Sequence, residues 1–149
     1  WVVRRLNQIT DAQNTGASLD VSATATNSRF TLPAGTYNCR VLVPAFKSGG
    51  NRIQLYRYTG TAGAVGESPV TIAQLNPGGS VVNSIEQTIR LNAAATFAVL
   101  HYCTQQPADD TDTYGSVNNR FSRGVPVPLS AGVYTGTTFT TVTCIRTGA

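Results

Sequence analysis

Apolar and polar residues alternate with a period of two along most of this chain, the repeat of a half-buried β-strand. Over residues 36–45, Tyr37, Cys39, Val41 and Val43 take one set of positions and Asn38, Arg40 and Leu42 the other. Residues 52–59 set Ile53 and Leu55 against Tyr56 and Tyr58. Residues 80–92 set Ile85, Ile89 and Leu91 against Glu86, Thr88 and Arg90. Residues 96–104 are different: Phe97 and Val99 fall on one face, and Ala98, Leu100 and Tyr102 on the other. A strand apolar on both faces is expected centrally, in a sandwich core or against another subunit. Shorter strands are predicted over 29–32 and 70–75, and a closing one over 132–146.

The punctuation between these runs is Gly, Pro, Asn and Asp. In Pro33-Ala34-Gly35, proline presets φ and glycine supplies the positive φ of a tight turn. Residues 47–51 and 76–79 predict further turns, and the Gly-rich stretch 60–66 a long connection. Residues 105–119 form a polar loop with an acidic tip. No segment has the three-and-four apolar spacing, cap and stop of a helix; Ala93-Ala94-Ala95 is followed at once by β-formers. Eight or more short strands at roughly ten-residue spacing indicate an all-β sandwich, most naturally a jelly roll. Residues 1–25, with weaker periodicity, are expected to be a connector or arm, and 26–149 the head domain. No internal repeat or second domain is visible.

The 149 residues suffice for one domain with one core. Only 12% are charged, about half the roughly 25% of ordinary soluble domains. Thr, Ser, Asn and Gln carry the polarity instead, which suggests that part of the surface is covered by a partner. Net charge is +4, and Lys47 is the lone lysine among eleven cations. The arginines are scattered and never run beyond Arg4-Arg5, against the concentrated charge of a nucleic-acid binder. No stretch reaches the roughly 18–20 apolar residues of a membrane span. A charged leader with an apolar segment is also missing, and a chain starting at Trp1 without any methionine reads as processed, or as a piece of something longer.

A series of phrases, met in order along the chain, carries a resemblance. Phe30-Thr31-Leu32-Pro33-Ala34-Gly35-Thr36-Tyr37 resembles the opening of the first core strand in C1q/TNF-like jelly rolls, particularly the heads of bacteriophage tail fibres and spikes. Arg52-Ile53-Gln54-Leu55-Tyr56 is similar to their Arg-x-x-Leu-Tyr strand. The run from Arg90 through His101 to Cys103 resembles their small-residue turn and His-bearing strand. Tyr114-Gly115-Ser116-Val117-Asn118-Asn119 resembles their Gly-x-x-x-Asn loop, and Val133-Tyr134-Thr135 their closing element. The likeness covers roughly residues 26–149. It departs at 124–130, with Pro126 and Pro128, and at Gly136-Thr137-Thr138, which interrupts the closing strand. The resemblance implies a homotrimer packed through the strand bearing Phe97, Val99, His101 and Tyr102. It implies a virion component assembled in the host cytoplasm: a tail-fibre or spike head that meets a host surface glycan or protein. The alternative is a trimeric capsid decoration protein, with residues 1–25 as its arm among other virion proteins.

Chemistry-bearing residues are few. His101 is the only histidine; set in an apolar strand with no Gly-x-Ser-x-Gly elbow in the chain, it reads as a core or interface residue. Asp109, Asp110 and Asp112 could hold calcium through alternate oxygens, as some members of the resembled superfamily do. They lack the Asp-x-Asp-x-Asp-Gly order and closing Glu of the standard loop, and a solvated loop tip is the simpler reading. Asp110 and Asp112 as a glycosidase pair would need a fixed separation that one loop is ill suited to give. No enzyme, metal or cofactor is therefore expected. Cys39, Cys103 and Cys144 lack zinc-ligand spacing and read as buried, mainly reduced thiols, although one pair could bridge. Tyr56, Tyr58, Tyr102, Tyr114 and Tyr134, with the arginines, are the residue types that dominate interfaces. Receptor contact is expected at Tyr114, Asn118 and Asn119, which can stack on and hydrogen-bond to sugars, and at Arg120 and Arg123, which can meet anionic groups bidentately.

Overall fold

The computed structural model describes residues 1–3, 6, 11, 13–21, 28–46, 49–73, 80–104 and 140–149. These form strands and turns only: β1 (Val2–Val3), β2 (Ser18–Val21), β3 (Ser28–Leu32), β4 (Gly35–Phe46), β5 (Gly49–Arg57), β6 (Gly63–Glu67), β7 (Thr71–Ala73), β8 (Ser80–Leu91), β9 (Ala95–Cys103) and β10 (Thr141–Gly148). They make two antiparallel sheets. The larger runs β2-β3-β9-β5-β6, with β1 added beside β9 and β7 beside β5; the smaller runs β10-β4-β8. The fold is all-β and sandwich-like, and the predicted alternation explains its core. Tyr37, Cys39, Val41 and Val43 of β4, with Ile85, Ile89 and Leu91 of β8, face Phe30, Leu32, Ile53, Leu55, Phe97 and Val99 of the larger sheet, all buried. Their intervening partners Asn38, Arg40, Glu86, Thr88 and Arg90 are exposed. The Arg40–Glu86 ion pair at 3.2 Å lies on that wet outer face and contributes about 0–1 kcal/mol.

The Pro33–Gly35 turn forms as the sequence dictates. Gly35 has φ +148°, and a Cβ there would stand 2.7 Å from Arg146 Nε and 3.1 Å from the Gly148 carbonyl. Tyr37 Oη donates to the Pro33 carbonyl at 3.1 Å, and Arg146 Nη2 to the Ala34 carbonyl at 2.9 Å. Glycine is needed there for both conformation and space.

Three features depart from the sequence reading. The glycine-rich stretch contains β6, which pairs with β5 across a register shift between Leu55 and Tyr56. A Cβ on Gly66 would meet Ile85 Cγ2 at 2.8 Å, so Gly66 is needed because β6 lies tight against β8 at that point. The segment expected as a connector or arm supplies β1 and β2, paired to β9 and β3. It is tied down before β2 by Asp11, whose carboxylate accepts from Thr15 N (2.9 Å), Thr15 Oγ1 (3.0 Å), Gly16 N (2.8 Å) and Ala17 N (3.2 Å). The Thr15 backbone N–H foremost holds that carboxyl below its usual value.

The third departure corrects the cysteine reading. Cys39 and Cys144 are joined by a disulfide. They stand directly opposite on β4 and β10, with Cα atoms 4.1 Å apart. Spacing along the chain hid this pairing, because the two residues are 105 apart and only the return of the last strand beside β4 brings them together. The acidic cluster Asp109, Asp110 and Asp112, the turn 76–79 and the loop 105–119 lie outside the described residues.

Candidate binding face

β9 lies in the middle of the larger sheet, with β3 and β1 along one side and β5 along the other. Its two faces have separate fates. Phe97, Val99 and His101 point into the sandwich and are fully buried. Phe97 stacks on Phe30 with ring centroids 5.6 Å apart. His101 Nε2 lies 3.0 Å from Asn51 Oδ1, inside a polar patch that occupies one end of the core. There Thr71 Oγ1 donates to Asn83 Oδ1 at 2.7 Å, and Ser68 Oγ accepts from Ile53 N and donates to the Pro69 carbonyl, both at 3.0 Å. Asn83 Nδ2 is buried there without a partner among the described residues, while the bonds that are made tie β7 to β8 and hold the end of β5 in register.

The outer face is built from the alternate positions. Its first half closes on itself. Arg29 of β3 reaches across to place its guanidinium 3.9 Å from the Tyr58 ring centroid, a cation–π contact. Tyr56 packs edge-on against Tyr58, with centroids 5.0 Å apart. Ala98, which pairs with Tyr56, is fully buried on this face. Its small size leaves room for the arginine and the rings above. Thr31 and Thr96, opposite each other, share a 3.0 Å hydroxyl hydrogen bond.

The other half of the outer face is open. Trp1, just before β1, packs on Tyr102 with centroids 5.6 Å apart, yet Trp1 remains 51% and Tyr102 40% exposed. Tyr102 stands opposite Arg52, and Ile72 opposite Gly50. Val70 and Ile72 are 59% and 69% exposed. Gly50 forms a dip, since a Cβ there would come within 3.1 Å of Thr104 Cγ2 and 3.6 Å of Val70 Cγ1. Arg52 at the centre pairs with Glu67, which also accepts from Gln54 Nε2 at 3.0 Å, while Arg52 Nε is buried without a protein partner. Four large apolar side chains thus share this end of the sheet with a partly neutralised arginine. Clustered exposure of this kind marks an interaction surface, and Trp, Tyr and Arg are its usual anchors.

The residues expected at a subunit contact are therefore divided. Tyr102 lies on the open face, whereas Phe97, Val99 and His101 are consumed by the core of their own chain. On the outer face of β9, Thr96 and Leu100 are half-buried and Tyr102 is exposed. Tyr114, Asn118, Asn119, Arg120 and Arg123 lie outside the described residues, as does Tyr134. Sequence reasoning singled out Tyr56, Tyr58 and Tyr102 but missed Trp1, Val70 and Ile72. Alternation in 70–72 signalled a strand; its face could not be assigned without knowing that β7 pairs with the start of β5. Among the described residues, no group of three or more His, Cys, Asp and Glu side chains could hold a metal ion. Among the described residues, no helix is long and apolar enough to cross a membrane. No protein family, curated protein or solved structure matches this chain.

Proposed function

We propose that this chain is a non-catalytic recognition module of a virus particle, a jelly roll that works as a homotrimer at the head of a phage tail fibre or spike. One observation carries the reading: Trp1, Tyr102, Val70 and Ile72 lie exposed at the open end of the larger sheet that also bears Arg52, the residue types of a protein-interface core. Strand order supports the jelly roll. Among the described residues, strands β3, β4 and β5 lie in alternate sheets, and so do β7, β8 and β9, as the double-sheet wrapping of that fold requires. The non-catalytic reading is supported by His101, sealed in the core beside Asn51, where it reaches no substrate. The low charge share agrees with surface covered by neighbours. The sequence phrases that resemble phage heads supply the virion setting.

In this reading the trimer forms through the outer face of the larger sheet, and the segment holding Tyr114, Asn118, Asn119, Arg120 and Arg123 meets the host glycan. Three weak sites on one trimer raise avidity over a single site by roughly 10²–10⁴. Tyr114→Ala and Arg120→Ala are expected to keep the parent's mass in light scattering. On an array of bacterial surface polysaccharides, each should bind about tenfold more weakly. If both variants bind as the parent does, glycan contact by this segment is excluded. If the parent binds no glycan and antibody against it labels the capsid rather than the tail tip in micrographs, the decoration reading takes its place.

A further inference from the structure

We infer that the Cys39–Cys144 bond closes after folding and acts as an oxidative latch on the C-terminal strand. β4 is a fixed platform: it pairs with β8 along its whole length, from Gly35↔Leu91 to Phe46↔Ser80, and its inward side chains fill the core. β10 is held far less firmly. Thr143, Ile145, Arg146, Thr147 and Gly148 are exposed, and Val142 and Cys144 alone are its residues packed against the core cluster. Backbone pairing sets Cys144 opposite Cys39 without help from the bond, because Val142↔Val41 and Arg146↔Tyr37 fix the register on either side. In an unfolded chain the same sulfurs, 105 residues apart, meet rarely. Folding is therefore the step that brings them together, and oxidation the step that follows.

Half-buried Cys144 is the point of entry, since Cys39 is sealed. Its thiolate attacks a disulfide-bearing small thiol compound, such as oxidised glutathione, and expels one glutathione. The Cys39 thiolate then displaces the second from Cys144 Sγ. Two protein thiols and one glutathione disulfide become one protein disulfide and two glutathione thiols, the cysteine protons passing to the leaving thiolates. A chain assembled in a reducing cytoplasm would thus acquire its latch on release into an oxidising medium.

The test begins with chain refolded in dithiothreitol, freed of reductant and then given oxidised glutathione without denaturant. Peptide mapping should find Cys39 linked to Cys144, with the intact mass lower by two hydrogens. Amide hydrogen exchange should show β10 already paired in the reduced chain but exchanging about tenfold faster than β8, a gap that closes on oxidation. Bond formation only in denaturant, a β10 unprotected before oxidation, or the same gap in both forms would each overturn the inference.

Discussion

Phe97→Ala should lower the folding stability of the single chain by about 3–5 kcal/mol, the range for truncating a fully buried aromatic residue. Phe97 has no exposed surface, stacks on Phe30 and stands in the central strand of the larger sheet. Truncation removes both the ring's transfer free energy and the cross-strand contact by which Phe30 of β3 stacks on β9. Phe97→Asp should prevent folding, because a carboxylate would be buried without a partner. As a subunit contact alone, Phe97 would on truncation yield a folded monomer instead. Urea titration followed by tryptophan fluorescence distinguishes these outcomes: a loss below about 1 kcal/mol would contradict the core position.

Cys144→Ser should cost a comparable amount. Closing a loop of 105 residues restricts the unfolded chain by about 4–5 kcal/mol in the chain-entropy account. Urea titration of the oxidised parent and the variant, side by side, checks this; equal midpoints would contradict it. The same bond sets the thiol count. Under denaturing, non-reducing conditions one thiol per chain should be alkylated, rising to three after reduction. Three thiols before reduction would restore the reduced-cysteine expectation that the structure overturns.

Long strands were legible because burial wrote itself into their alternation. Tyr37 to Val43, Ile53 with Leu55, and Ile85 to Leu91 each face inward as their spacing required. Short strands were not. β1 has two residues and β2 only Ser-Leu-Asp-Val, too few to establish a period. In Gly-Ala-Val-Gly-Glu, the Gly66 that lets β6 fit against Ile85 is one of the glycines that read as a loop. The double apolar character of β9 was visible, and so was its central place. What the sequence could not divide was the two faces: Phe97 and Val99 go to the chain's own core, Leu100 and Tyr102 to the outside. Which face is which depends on pairing with β5 and on the sheet packed behind it, both non-local. The proposed binding face was legible in residue type, as Tyr and Arg, but not in place, because Trp1, Tyr102, Arg52 and Ile72 come from four separate strands or their flanks.

Solution mass shows whether this open outer face joins copies of the chain, as proposed. Tyr102 is 40% exposed and lies away from the core, so Tyr102→Arg should leave the fold intact while placing three like charges near the trimer axis. Size-exclusion chromatography with multi-angle light scattering at micromolar concentration should return three times the 15.7 kDa chain mass for the parent. Tyr102→Arg should return a single chain mass with an unchanged circular dichroism spectrum. A parent that elutes at 15.7 kDa, or a Tyr102→Arg variant that remains trimeric, would contradict the claim.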